Sequence, residues 1–178
     1  MDTSSLKQLE EFLAEQIEQS KATNDRLLLA FFYAKQGEDV KSLQQFRKAL
    51  ETDPGNANVW YEKALVEART LDFETALKNL DKAAQAKPKQ ETANKIAQLQ
   101  GKLYVRNRQN DKAIAVWKKL IDDNPQDGHL IEDVIELQIS EGLFEEAVKL
   151  SDNLIKTCLL YTSPSPRDQR GSRMPSSA

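Results

Sequence analysis

Chemistry in a chain usually announces itself through histidine, cysteine and paired carboxylates, and this chain of 178 residues holds one histidine, His129, and one cysteine, Cys158. A catalytic role for His129 would need a partner nucleophile or a carboxylate pair held by a scaffold. His129 instead follows the turn Pro125-Gln126-Asp127-Gly128, where an exposed polar turn residue is the expected reading. A transition-metal centre needs several His or Cys ligands at short spacing. Neither an HExxH helix nor a carboxylate–glycine loop occurs. Glu132, Asp133 and Glu136 gather carboxylates on one helical face, a pattern that reads as solvated surface. Trp60 and Trp117 could stack on a ligand, but both fall on positions that a helical repeat uses for packing. The expectation is therefore a protein that is not an enzyme, with no catalytic residues, cofactor, metal or small-molecule substrate.

Composition narrows the classes further. Charged residues make up 30% of the chain and apolar ones 39%, and the net charge is −3. Such a balance offers no basic footprint for nucleic acid. No apolar run approaches the ~20 residues of a membrane span, and Met1–Phe12 has no positive stretch followed by an apolar core. A cytoplasmic protein is expected. Residues 158–178 stand apart: CLLYTSPSPRD and SRMPSSA resemble the conceptual translation of a sequencing-library adapter, with Gln169, Arg170 and Gly171 as the index between them. The expectation is a non-native, disordered tail, with the native protein continuing past Thr157. The tail carries Arg167, Arg170 and Arg173 against Asp168, so leaving it out moves the net charge from −3 to −5. Cys158 leaves with it, and no disulfide or thiolate site remains.

The elements that would position any site are helices. Residues 3–20 place Leu6, Leu9, Phe12, Leu13 and Ile17 on one helical stripe. After them, helix, short polar turn and helix alternate: 24–35 and 39–52, 57–70 and 73–86, 91–107 and 110–123, 128–141 and 144–157. Gly37 and Gly142 suit the left-handed turns that end two of the first helices. Pro54, Pro88 and Pro125 each stop a second helix, since proline lacks the amide donor and clashes with the preceding turn. The spacing from Pro54 to Pro88 is 34 residues, the period of a helix–turn–helix repeat, and the next is three longer.

The residues inside these pairs resemble the tetratricopeptide repeat family. The second pair has Trp60, Ala64, Ala76, Leu80, Ala83 and Pro88 at the family's positions. The first has Leu29, Ala30, Tyr33, Phe46, Ala49 and Pro54, with Ser42 where alanine is usual. The third has Gly101, Tyr104, Ala113, Trp117, Leu120 and Pro125; the fourth has Phe144, Ala147 and Leu154, with Ile135 in place of the small residue. The resemblance covers about residues 23–157. It implies an all-α, right-handed solenoid of four antiparallel pairs: 23–56, 57–90, 91–127 with a long first helix, and a truncated 128–157. Residues 1–22 would be a capping helix or a degenerate half-repeat.

The resemblance also implies where a partner would lie, since in this family the first helices line a concave groove that holds a peptide or helix. Helical spacing projects Asn24, Leu27, Leu28 and Phe31 onto it from the first pair, and Asn58, Tyr61, Glu62, Leu65 and Arg69 from the second. The third contributes Lys95, Gln98, Leu99, Lys102 and Arg106, and the fourth His129, Glu132, Asp133 and Glu136. The groove would run from apolar to basic to acidic, with Arg69, Lys95, Lys102 and Arg106 meeting a partner's carboxylates. A competing reading covers Leu27, Leu28 and Phe31 with the helix at 3–20. The subfamily that clamps chaperone C-termini needs Lys or Arg and Asn at set places. Leu27, Phe31, Glu62, Lys95 and Leu99 stand there, and only Lys95 fits. The expected function is a scaffold for a protein or peptide partner; the alternative is a docking or regulatory arm of a larger enzyme.

Overall fold

A computed structural model describes residues 8, 9, 11, 12, 15 and 23–162. Among them lie eight helices and no strand. They are α1 (Thr23–Gln36), α2 (Asp39–Thr52), α3 (Ala57–Arg69), α4 (Phe73–Gln85), α5 (Gln90–Arg106), α6 (Asn110–Asp122), α7 (Gly128–Ser140) and α8 (Phe144–Thr162). The chain forms two compact units, Met1–Leu120 and Ile121–Ala178. Most of the helix expected over 3–20, and the tail from residue 163, lie outside the described residues. Leu9 and Phe12 of its apolar stripe are exposed.

Three of the helix starts are capped by a side chain. Asn56, Asp72 and Asp127 accept hydrogen bonds from the backbone amides of Val59, Thr75 and Leu130, satisfying amides that the first turn of a helix leaves free. Asn24, expected as a cap, falls inside α1. The bends within the four pairs share one device. Gly37, Leu71, Arg108 and Gly142 all sit at φ between 57° and 81°, spaced by 34, 37 and 34 residues. The left-handed conformation is free to glycine and costs a side-chain-bearing residue about 1–2 kcal/mol. Leu71 and Arg108 meet that cost in the middle two bends. The helix α8 runs through Cys158–Thr162, five residues past the expected end at Thr157. Nothing in Cys-Leu-Leu-Tyr-Thr breaks a helix.

In the first unit, close approach of helices depends on small residues. Ala30 and Ala64 on first helices, and Ala49, Ala76 and Ala83 on second helices, are fully buried. Ser42 takes an alanine position and is equally buried; its hydroxyl donates to the Ala30 carbonyl at 2.9 Å. Facing these small residues are the large ones. Phe46, Val59 and Val66 pack with Ala30, Ala49 and Leu50, while Leu80, Ile96 and Leu103 pack with Ala64, Ala76 and Ala83. Trp60 belongs to the edge of both clusters, and its indole NH donates to the Pro54 carbonyl at 2.9 Å. The proline that closes the first repeat thereby holds the first helix of the second.

The third pair trades sizes across the same contact. Ala30 stands with Phe46 and Ala64 with Leu80, but the bulkier Trp117, fully buried, stands against Gly101. A Cβ added to Gly101 would lie 2.2 Å from Cε2 and Nε1 of the indole, which also donates to the Gln98 carbonyl at 3.3 Å. Gly101→Ala is therefore expected to destabilise by ~1–3 kcal/mol through overpacking. The same substitution beside Trp117→Leu should cost far less. Urea midpoints of the two single variants and the double variant measure this coupling.

Candidate functional site

Adjacent first helices of the first unit are tied side by side. Thr92 on α5 donates to the Asn58 side chain on α3 at 2.9 Å, across one 34-residue period. Arg69, at the end of α3, donates to the Ala34 carbonyl of α1 at 2.9 Å and pairs with Asp39 at the start of α2. The guanidinium thus caps the C-terminal turn of α1 and pairs with the first-turn carboxylate of α2. Arg69 was expected among the cations awaiting a partner's carboxylates. It spends its fork on Ala34 and Asp39 instead. The sequence offers no signal for this, because Asp39 is remote in the chain and meets Arg69 only through repeat stacking.

The apolar group of the expected groove divides by burial. Leu27 packs against the core of the first pair, and Tyr61 and Leu99 against that of the second. Phe31 lays its ring edge-on to Phe46, centroids 5.6 Å apart, yet remains exposed, as does Leu28. Leu65, one helical turn from Tyr61, is half-buried. The surface therefore carries uncovered apolar side chains on α1.

Beside them lies a compact polar cluster on α3 and α5. Burial pushes the Tyr61 hydroxyl above its ordinary range, Glu62 pushes it further the same way, and Lys95 opposes. Burial likewise raises the Glu62 carboxyl, with Lys95 pulling it down. Lys95 itself bonds Glu91 at 2.6 Å, a contact that raises the ammonium and lowers the carboxyl. Both of those groups are open to solvent, so the bond is a weak surface pair. Lys102 lies half-buried and Arg106 exposed farther along α5. Glu132 and Glu136 are exposed on α7, in the second unit. His129 is exposed as well, its Nδ1 lying 3.4 Å from Glu132.

One buried network is absent from the sequence reading. Lys63 donates to Glu67 at 2.7 Å, Asn79 of α4 donates to the other carboxylate oxygen, and all three side chains are buried. Glu67 occupies the place of Tyr33 and Tyr104 in the neighbouring repeats. A Lys–Glu pair four apart was a visible signal, but nothing in the pattern tells that it faces inward. Lys63 and Lys82 also flank the Trp60 ring, 5.6 and 4.5 Å from its centroid. Among the described residues no group of three or more His, Cys, Asp or Glu is arranged to hold a metal ion, and no helix is long and apolar enough to cross a membrane.

Residues 41–91 match the tetratricopeptide repeat family model. Over that stretch the chain carries the tetratricopeptide repeat, and the small-to-large register above follows the same spacing in the first and third pairs. Several solved structures share the fold. A crystal structure of MamA aligns with a TM-score of 0.67 at 17% identity, over 88% of this chain and 94% of that one. YrrB, described as a TPR protein with an unusual peptide-binding site, aligns at 0.61 and 19%, over 81% and 73%. PilF from Pseudomonas aeruginosa aligns at 0.66 and 18%, over 86% and 69%. At these identities the likeness is one of fold: an all-α solenoid of helical pairs. A comparison with curated protein sequences finds no match. The repeats support a protein-interaction scaffold.

Proposed function

We propose that the first unit holds a segment of a partner protein along the row of first helices α1, α3 and α5. The observation that carries this reading is the juxtaposition of uncovered apolar side chains with cations on one row. Leu28 and Phe31 are exposed on α1, Leu65 is half-buried on α3, and Lys95, Lys102 and Arg106 follow on α5. A segment that fits has apolar side chains at one end and carboxylates toward the other. Glu62 lies between, its carboxyl raised by burial, and suits a hydrogen-bond donor of the partner. Arg69 braces α1 and α2, and a partner's carboxylate at Lys95 would compete with the solvent-exposed Glu91.

The test reverses the three α5 cations together, Lys95→Glu, Lys102→Glu and Arg106→Glu, and compares the partners recovered by affinity capture with those of the unchanged chain. Loss of the captured partners, with helical content retained, is expected. Unaltered recovery would remove the groove from the account. Because these charges lie at or near the surface, binding to the unchanged chain is also expected to weaken with added salt.

A further inference from the structure

Glu62 stands at a place where the neighbouring repeats carry leucine. Leu28, Glu62 and Leu99 are separated by 34 and 37 residues, the spacing of the bends at 37, 71 and 108, so they share one position on α1, α3 and α5. Leu99 packs at the edge of the second pair's core, and Leu28 is exposed. The Glu62 carboxylate between them is half-buried, and loss of water is the main cause that raises its proton affinity. A carboxylate withdrawn from water without a donor costs free energy that a leucine would not.

No contact among the described residues offsets that cost. Glu67, also on α3, holds Lys63 and Asn79 on its two carboxylate oxygens. Glu91 takes a hydrogen bond from Lys95 at 2.6 Å. Among the described residues no donor bonds the Glu62 carboxylate: Lys95 acts on it only through space and gives its bond to Glu91. The hydroxyl of Tyr61, next to it in the chain, is half-buried and likewise makes no hydrogen bond to a described residue. Two partly dehydrated polar groups at the middle of the row therefore keep acceptor capacity unused, which is uncommon for groups withdrawn from water.

We propose that Glu62 selects the partner: it receives a lysine or arginine side chain of the bound segment, and the Tyr61 hydroxyl accepts a second hydrogen bond from the same group. The inference rests on the row α1, α3 and α5 being the binding surface. A cation fits better than a neutral donor because its charge offsets the cost of the half-buried anion. Leu28 and Leu99, on either side, give its methylene stem apolar surface to lie on. Glu91 neutralises Lys95, so the incoming charge meets no uncompensated cation there. The segment that fits carries apolar side chains toward α1, a basic one at α3 and carboxylates toward α5.

A display library of random linear peptides, panned against the full chain and against Glu62→Gln, tests this. The unchanged chain should enrich peptides with a basic residue between an apolar and an acidic stretch. The variant should lose the basic preference while keeping the flanking ones. For one enriched peptide, followed by anisotropy, Glu62→Gln is expected to weaken binding ~10-fold. Exchanging that peptide's basic residue for methionine should weaken binding to the unchanged chain by a similar factor and leave the variant's affinity nearly the same. Glu62→Leu, which installs the residue of the neighbouring repeats, should melt no lower than the unchanged chain; a lower melting temperature would assign Glu62 to the fold and overturn the inference. Enriched peptides with no basic preference, or with one that Glu62→Gln leaves intact, would overturn it too, while the row itself would stand. Peptides that bind equally after the three α5 cations are reversed, or no enrichment at all, would remove the row and this inference with it.

Discussion

Trp117→Ala is expected to lower the stability of the first unit by ~3–5 kcal/mol, the cost of deleting a large buried aromatic side chain. The indole is fully buried and also donates to the Gln98 carbonyl, so the substitution leaves a cavity and removes one hydrogen bond between α6 and α5. Gly101 cannot fill the space, having no side chain. Urea denaturation followed by circular dichroism measures the loss. The remaining indole, Trp60, donates to the Pro54 carbonyl and reports on the packing around the second repeat. A ligand-stacking tryptophan would behave otherwise, with binding impaired and the melting transition nearly unmoved.

Removing Glu67 should be comparably damaging. Glu67→Ala strands the Lys63 ammonium and the Asn79 amide in the interior, and breaking one side of a buried pair costs ~3–5 kcal/mol. Replacing the group as a whole is a different matter. Lys63→Leu with Glu67→Tyr restores the residues found at the equivalent places of the first repeat, Leu29 and Tyr33. That double variant is expected to be neutral or stabilising, because desolvation of two charges offsets much of their attraction. Equal losses in the single and double variants would show that the network contributes through its own hydrogen bonds rather than through the absence of unpaired charge. Thermal melting of the three proteins at one pH separates these cases.

The repeat skeleton was legible because its physics is written in residue size. Alanine at 49, 76 and 83 marks close helix approach, large residues at 46, 80 and 117 fill what the small ones leave, and prolines close the second helices. The size trade between Gly101 and Trp117 was likewise readable as a pattern, although its 2.2 Å tightness was not. What escaped were features fixed by stacking rather than by period. Arg69 reads as a free groove cation until α3 is laid beside α1, when Asp39 and the Ala34 carbonyl come into reach. Leu71 and Arg108 adopt the left-handed bend that glycine marks at 37 and 142, and no side-chain rule announces this. The surface residues divide the same way. Helical spacing places Leu27, Phe31, Tyr61 and Leu65 on first helices, but only packing decides that Phe31 stays exposed while Leu27 joins the core edge.

The bonds that tie one element of the first unit to the next have a further consequence. Ser42 reaches back 12 residues to Ala30, Trp117 reaches 19 to Gln98, and Thr92 reaches 34 to Asn58. Loop-closure entropy rises with the logarithm of loop length, so each tie can form once a single neighbouring repeat is in place, without waiting for distant chain. Such contact order belongs to fast folders. A chain of this kind assembles by growth from any one repeat, and it can lose an end without surrendering the middle.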